Sequence, residues 1–153
     1  MRSNQGLTLI ELMVGVAILA TLMLVAAPSF NDSLARRRLE GIANELNSDL
    51  QYARTQAISS NASVSLVATT ATAYSIGTYK TIALPTTCSL AADAPSTLPL
   101  TITFEANRGT ANADASITIS CTSTTATLRV VTSSMGRVQL CSPSSSFGGY
   151  TSC

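Results

Sequence analysis

Residues 1–30 read MRSNQGLTLIELMVGVAILATLMLVAAPSF and contain the longest apolar segment of the chain. A polar leader of six residues ends at Gly6 and is followed by an apolar run from Leu7 to Ala27. As an α-helix this run would be about 31 Å long, which matches the hydrocarbon core of a bilayer. Glu11 interrupts the run, and a carboxylate there costs about 2.5–3.5 kcal/mol on membrane-insertion scales. The sequence therefore predicts a membrane-spanning helix with an acid that has a functional partner.

A cleaved secretory signal peptide is the first alternative for the same stretch. The small residues Val25, Ala26 and Ala27 resemble a signal peptidase site. Pro28 would directly follow the cut, where proline blocks cleavage, and Glu11 burdens the apolar core. A retained helix is therefore favoured over a removed one.

The segment GLTLIEL, residues 6–12, resembles the prepilin signature of type IV pilins and type II secretion pseudopilins. The resemblance implies that a prepilin peptidase cleaves between Gly6 and Leu7 and methylates the new N-terminus of Leu7. Glu11 becomes the fifth mature residue, which in this family faces the N-terminal amine of a neighbouring subunit. Pro28 matches the proline that kinks the helix in the family. Leu7 departs from the usual phenylalanine, a change that cleavage should tolerate. A generic membrane anchor is the alternative.

The resemblance suggests why an acid lies in an apolar helix. We expect Glu11 to lack a partner in lipid and to gain one from a neighbouring ammonium inside a filament. A low local dielectric strengthens that pairing and penalises its absence. The acid should therefore disfavour the monomer and favour a docked subunit in one axial register.

The basic residues near the helix give conflicting evidence on its orientation in the membrane. Arg36, Arg37 and Arg38 follow the apolar run, whereas the leader has only Arg2. The positive-inside rule then favours a cytoplasmic C-terminal side. Disulfide formation and leader processing require the opposite orientation. We therefore predict a single-pass protein of the bacterial inner membrane with a periplasmic C-terminal domain, later transferred into a pilus or pseudopilus filament.

The helical pattern continues beyond Pro28 to about Ser59. Apolar residues recur there at steps of three to five, which predicts an amphipathic helix: Phe30, Leu34, Leu39, Ile42, Leu46, Leu50, Ala53 and Ala57. Pro28 removes a backbone hydrogen bond and is expected to kink the helix. The first half, residues 7–27, should span lipid or lie in a filament core, and residues 28–59 should pack on a domain.

Residues 60–153 have the alternating pattern of β-strands. Apolar residues alternate with polar ones in five segments: Val64/Leu66/Ala68, Tyr74/Ile76, Ile102/Phe104, Ile117/Ile119/Cys121 and Leu128/Val130. Residues 107–109 and 134–136 are predicted turns, and residues 84–99, with three prolines, a predicted loop. The fold class is therefore α+β. A long kinked N-terminal helix packs on one antiparallel sheet or two, as in the pilin fold, and the domain is periplasmic.

The four cysteines are Cys88, Cys121, Cys141 and Cys153, and they form no C-x-x-C pair that would suggest zinc. An even count in an exported domain favours disulfides. Three pairings are possible, and we favour Cys141–Cys153 with Cys88–Cys121, because the last residue would then fix a Gly- and Ser-rich tail. Closing that short loop could add about 3 kcal/mol. Four buried free thiols are the alternative.

Composition offers little for catalysis or metal binding. The chain has no histidine, which removes the common hydrolase triads and nearly all histidine-containing metal sites. Beyond Ser59 the only acids are Asp93, Glu105 and Asp114, and none are close enough in sequence to suggest a paired-carboxylate site. We therefore predict no enzyme activity, no metal and no cofactor.

The stretch from Ser133 to Cys141, SSMGRVQLC, resembles the C-terminal part of the GspH/FimT group of pseudopilins and minor pilins. The resemblance implies a low-abundance subunit that helps to initiate or cap a type IV pilus. Its partners would be major and minor pilins, the prepilin peptidase, the inner-membrane assembly platform and, before assembly, the lipid bilayer. A minor pseudopilin of a type II secretion system is an alternative.

A second alternative is a DNA-binding minor pilin for natural transformation. Some members of the group are implicated in DNA uptake through a Gly-Arg-x-Arg motif. Gly136 and Arg137 match it, but Gln139 replaces the second arginine. Phosphate binding requires several cations on one surface, and those available beyond the helix are Lys80, Arg108, Arg129 and Arg137.

Overall fold

The computed structural model describes residues 8–143 and 147–153, except for the side chains of residues 24–29. One helix, α1 (Leu9–Ser60), is followed by eight strands: β1 (Val64–Thr70), β2 (Ala73–Ile76), β3 (Lys80–Ala83), β4 (Cys88–Ala94), β5 (Leu100–Phe104), β6 (Ala115–Cys121), β7 (Thr127–Thr132) and β8 (Val138–Cys141). The chain divides into two units, Met1–Leu34 and Ala35–Cys153.

In the first unit, the large apolar side chains between Leu9 and Met23 are exposed, from 53% for Val14 to 76% for Leu9. In the part of the chain that the structure describes, no helix has the length and apolarity needed to cross a membrane. The span predicted for residues 7–27 includes residues outside that description and stays a prediction.

In the second unit, α1 buries one apolar stripe with steps of three and four residues: Ala35, Leu39, Ala43, Leu46, Leu50, Ala53 and Ala57. The predicted stripe was wrong at its start, because Phe30 and Leu34 are 65% and 46% exposed. They belong to the first unit, and the buried stripe begins at Ala35.

The end of α1 is set by a left-handed residue. Asn61 has φ of 52°, and its N–H donates to the carbonyl of Ile58 at 3.4 Å. The N–H of Ala62 donates to the carbonyl of Ala57 at 3.3 Å. This pair of bonds is a Schellman motif, in which asparagine takes the position usually held by glycine. The motif ends the helix and turns the chain into β1.

The strands form two antiparallel four-stranded sheets, in the orders β3-β2-β1-β5 and β4-β6-β7-β8. Inward residues of both sheets and the α1 stripe form one hydrophobic core, whose largest fully buried side chains include Tyr74, Phe104, Ile117 and Leu128. The long N-terminal helix packed on an antiparallel two-sheet domain confirms the predicted α+β fold class.

All five strands predicted from alternation are present, and both predicted turns lie where expected. The predicted loop at 84–99 was wrong, because β4 lies within it. Its prolines, Pro85, Pro95 and Pro99, all lie outside β4, which is an edge strand. The short strands β3 and β8 were also missed. Both are edge strands without a buried alternating pattern strong enough to stand out.

A polar network joins α1 to the first sheet. The buried carboxylate of Asp49 accepts a hydrogen bond from the Tyr74 hydroxyl at 2.8 Å. The ammonium of Lys80 donates to Asp49 at 3.1 Å and to Glu45 at 2.9 Å. Burial, together with the bond to Asp49, raises the pKa of Tyr74 above its ordinary value. The bond to Glu45, with a contribution from Asp49, raises the pKa of Lys80.

Two turns meet α1 in the second unit. Gly109 and Gly136 have φ of 62° and 77°, in the left-handed region that favours glycine. A Cβ on Gly136 would lie 1.9 Å from the carbonyl oxygen of Gly109. The Nε of Arg54 donates to that same oxygen at 3.1 Å. The β7–β8 turn is therefore packed directly on the turn after β5.

Gly136→Ala is expected to destabilise the protein by about 2 kcal/mol or more, through backbone strain and the clash with Gly109. Gly41→Ala is the matched control. Gly41 is an exposed helical glycine with open space around its Cβ position, so alanine should stabilise by about 0.5–1 kcal/mol. Chemical denaturation of the detergent-solubilised full chain measures both. Equal effects of the two substitutions would contradict this account of the turn.

The Tyr74 network predicts a pH dependence of stability. Tyr74 and Lys80 bind their protons more tightly in the folded chain. Their contribution is therefore complete below about pH 10, the ordinary range of both groups, and is lost as the pH rises beyond it. Denaturation curves should show the free energy of unfolding falling above pH 10, and falling less steeply in Tyr74→Phe. The same slope in both proteins would rule out the contribution of Tyr74.

Candidate functional sites

The first candidate site is the N-terminal end of α1. Thr8 precedes the helix, and the sequence Thr8-Leu9-Ile10-Glu11 forms a capping box. Glu11 Oε2 accepts hydrogen bonds from the Thr8 N–H at 2.9 Å and from the Thr8 hydroxyl at 2.8 Å. The N–H of Glu11 donates to Thr8 Oγ1 at 3.4 Å. The expectation that Glu11 has no partner outside a filament was wrong for hydrogen bonds, because Thr8, directly before α1, donates two to it. The T-x-x-E pattern was the signal for these bonds. The expected pairing with a neighbouring ammonium stays a prediction.

The capping box leaves Glu11 able to bind a cation. Both bonds go to Oε2, and Oε1 has no hydrogen-bond partner among the described residues. The carboxylate is exposed and can accept a further donor, such as an ammonium. The box holds the carboxylate close to the start of the helix. Glu11 is thus already oriented when a partner arrives.

Of the three other predicted N-terminal positions, the structure describes only the backbone of Pro28. Gly6 and Leu7 lie outside the described residues, so cleavage between them and methylation of Leu7 stay predictions. Pro28 lies within the bounds of α1, but its side chain is outside the description. The predicted kink therefore also stays a prediction.

Two disulfides join the predicted cysteine pairs. Cys88 on β4 lies directly opposite Cys121 on β6, with an S–S distance of 2.02 Å. Cys141, at the end of β8, is bonded to Cys153 at 2.09 Å. The first disulfide holds the edge strand β4 to its neighbour, and the second closes the C-terminal tail into a loop.

The C-terminal loop is also held to α1. The Tyr150 hydroxyl donates to Glu40 at 2.8 Å, and the Arg36 guanidinium lies 5.9 Å from the centre of the Phe147 ring. Burial and the bond to Glu40 raise the pKa of Tyr150. The tail is therefore fixed at both of its ends and at its middle.

The four cations proposed for DNA binding do not form one free patch. Lys80 lies in the first sheet and is bonded to Glu45 and Asp49. Arg129 lies in the second sheet, where its Nε is 3.2 Å from Asp93. Both positive charges are compensated within the chain.

Arg108 and Arg137 differ from these two residues. Their side chains are exposed, and neither has an acidic partner among the residues that the structure describes. Arg108 belongs to the turn after β5, and Arg137 follows the β7–β8 turn. These two remain available to an external anion.

The second candidate site is a groove that Arg137 lines. Its volume is about 330 Å³, and α1 contributes Gln51, Arg54 and Thr55, while the β7–β8 segment contributes Gly136, Arg137 and Val138. Its lining residues include two arginines, one glutamine and one threonine, and no acidic residue. Such a lining suits an anion that also accepts neutral hydrogen bonds. Sequence reasoning missed Arg54 and Gln51, because they lie on polar faces of the helix far from Arg137 in sequence.

No described group of three or more His, Cys, Asp or Glu side chains could hold a metal ion. The two candidate sites are the Glu11 carboxylate at the start of α1 and the groove lined by Arg54 and Arg137 in the second unit.

Two known family models match this chain, one at its N-terminus and one over most of the second unit. The family model of type II transport protein GspH matches residues 43–146, and that of the prokaryotic N-terminal methylation motif matches residues 1–27. A search of curated proteins found no significant match.

Two crystal structures of the type IV minor pilin FimU of Pseudomonas aeruginosa PAO1 resemble this structure. The structure in space group P21 has a TM-score of 0.59 and 24% identity, covering 75% of this chain and 96% of that one. The structure in space group P65 has a TM-score of 0.58 and 25% identity, covering 73% and 98%. The likeness shows a shared pilin fold.

The GspH match covers more than half of the chain and includes the sheets and the groove. The methylation motif covers the segment with Gly6 and Glu11. The chain therefore belongs to the GspH family, and it is a type IV pilin-like minor pilin or pseudopilin of the GspH/FimT/FimU group.

Proposed function

We propose that this protein is a minor pilin that is incorporated into type IV pili and there helps to initiate assembly or caps the filament. The observation that carries the proposal is the apolar surface of α1 between Leu9 and Met23, which is exposed in the single chain and has Glu11 at its start. The N-terminal methylation motif covers the same residues. A helix of this kind functions only when something covers it.

The free energy of covering this helix is large. Burying one large aliphatic side chain is worth about 1.5–3 kcal/mol, and most residues from Leu9 to Met23 are of this kind. Lipid would cover the helix before assembly, and helices of other pilins would cover it in the filament. Within the filament, Glu11 would also receive an ammonium from a neighbouring N-terminus, which favours one axial register.

Export of the domain accounts for its disulfides. Disulfide bonds such as these two form and persist in oxidising compartments, of which the periplasm is one. We therefore place the second unit in the periplasm and the leader in the cytoplasm, where the prepilin peptidase would cleave after Gly6. The inner-membrane assembly platform would then receive the mature subunit. The role is structural, and no enzyme activity is assigned.

A minor pseudopilin of a type II secretion system is the second candidate. The family model that matches residues 43–146 carries that description, whereas the similar crystal structures are of a type IV minor pilin. DNA uptake is less favoured, because Lys80 and Arg129 are already paired with acids. Binding to the phosphate backbone requires several free cations on one surface.

Glu11→Ala is expected to leave membrane insertion and leader cleavage intact but to reduce incorporation into filaments at least tenfold, because the paired charge is lost. Glu11→Gln separates two roles. Glutamine can still accept the bonds from Thr8 but has no charge, so it should fail as alanine does. The measurement is the amount of the protein in sheared pili relative to the membrane fraction, by immunoblot.

Glu105→Ala is the control, since Glu105 is an exposed acid of the second unit bonded to Thr110. It should enter pili normally. Normal incorporation of Glu11→Gln would show that Glu11 acts only as a helix cap, and the ion-pair explanation would then be abandoned.

A further inference from the structure

The acidic side chains of the second unit are all engaged within the chain. This unit, Ala35–Cys153, has six acids and eight basic residues. Each acid accepts at least one hydrogen bond from its own chain: Glu40 from Tyr150, Glu45 and Asp49 from Lys80, Asp93 from Thr118, Glu105 from Thr110, and Asp114 from Ser134. Asp93 also forms an ion pair with Arg129. The unit therefore presents few free carboxylates.

By contrast, several basic side chains of this unit have no acidic partner within the described residues. Arg37, Arg108 and Arg137 are exposed and have no acidic partner among the described residues. In a second copy of this unit, every acid would already accept a hydrogen bond within its own chain, and both copies would carry the same excess of two basic residues. In the first unit, Asp32 also has an interaction partner, and Glu11 lies in the N-terminal helix. A partner of different sequence with an acidic surface therefore complements the charge of this unit better than a second copy does.

The groove that Arg137 lines has the chemistry to receive such an acid. Arg54 and Arg137 both line it, and Arg54 is held in place by its bond to the Gly109 carbonyl. A guanidinium pairs with a carboxylate through two parallel N–H···O bonds, which gives both strength and geometry. Gln51 and Thr55 add neutral donors beside the two cations.

The turn that carries Arg137 is held in a fixed position. Gly136 is buried, and only a glycine fits against the Gly109 carbonyl there. Met135 precedes it in the same turn, and its side chain is 81% exposed, which offers a partner an adaptable apolar contact. Arginine and methionine are both enriched in protein-protein interfaces, and arginine is also frequent among the residues that carry most of the binding energy.

We propose that this groove binds an acidic side chain of a neighbouring pilin subunit whose sequence differs from this chain. The proposal rests on the proposed function and adds to it a contact between globular domains. Two guanidinium groups suffice for one carboxylate. Tracking a phosphate backbone requires more free cations than the groove supplies. The acid of the partner would thus fix which subunit lies next to this one in the filament.

The test is site-specific photo-cross-linking in the pilus-forming bacterium. Thr55, an exposed residue lining the groove, is replaced by p-benzoylphenylalanine in the full chain. After irradiation, the sheared pili are digested and the cross-linked peptide is identified by mass spectrometry. We expect an Asp- or Glu-containing segment of another pilin. Arg137→Gln should lower the cross-link yield about tenfold, as loss of a charged hydrogen bond does. Arg37→Gln, the matched control at another exposed arginine, should leave it unchanged.

Several results would overturn the proposal. They are a cross-link to a second copy of this chain or to DNA, a yield that Arg137→Gln leaves unchanged, and no cross-link although the chain is present in the pili. The amount of uncross-linked chain in the same pili tests the proposed function separately. If the chain is absent from pili altogether, the proposed function and the groove contact both fail.

Discussion

The burial of the apolar stripe of α1, from Leu39 to Ala57, is the contact on which the rest of the second unit depends. The stripe shares one core with inward residues of both sheets. Because the helix lies against them, its polar residues meet the strands and turns: Asp49 reaches Tyr74, and Arg54 reaches the Gly109 carbonyl. The groove exists only because this packing brings Arg54 and Arg137 together.

The two units differ in how much of their apolar surface is buried within the chain. In the second unit, most large apolar side chains are buried, and every acid accepts a hydrogen bond within the chain. In the first unit, the apolar residues from Leu9 to Met23 are exposed. A chain that leaves so much apolar surface uncovered depends on another molecule for stability. A subunit of this family obtains that cover from membrane and filament.

The sequence predicted the elements that have strong local patterns. Alternation identified β1 and β6, whose inward residues are buried, and the helical steps identified the stripe from Leu39 onward. β4 was not predicted, because prolines lie on both sides of it. Proline is common in loops, but it is also tolerated at the ends of edge strands. The groove could not be predicted, since Arg54 and Arg137 are joined only by tertiary packing. The T-x-x-E pattern of the Thr8–Glu11 capping box is present in the sequence, but an acid in an apolar helix also predicts a partner on another molecule, and only that prediction was made.

The central claim is that the first unit is the processed helix of a filament subunit rather than a signal peptide or a plain anchor. The most direct measurement is the N-terminal residue and intact mass of the mature protein purified from its own bacterium, by mass spectrometry. The account predicts a chain that begins at Leu7, carries one added methyl group on its N-terminus and retains both disulfides. A chain that begins at Met1 or at Pro28 would contradict it.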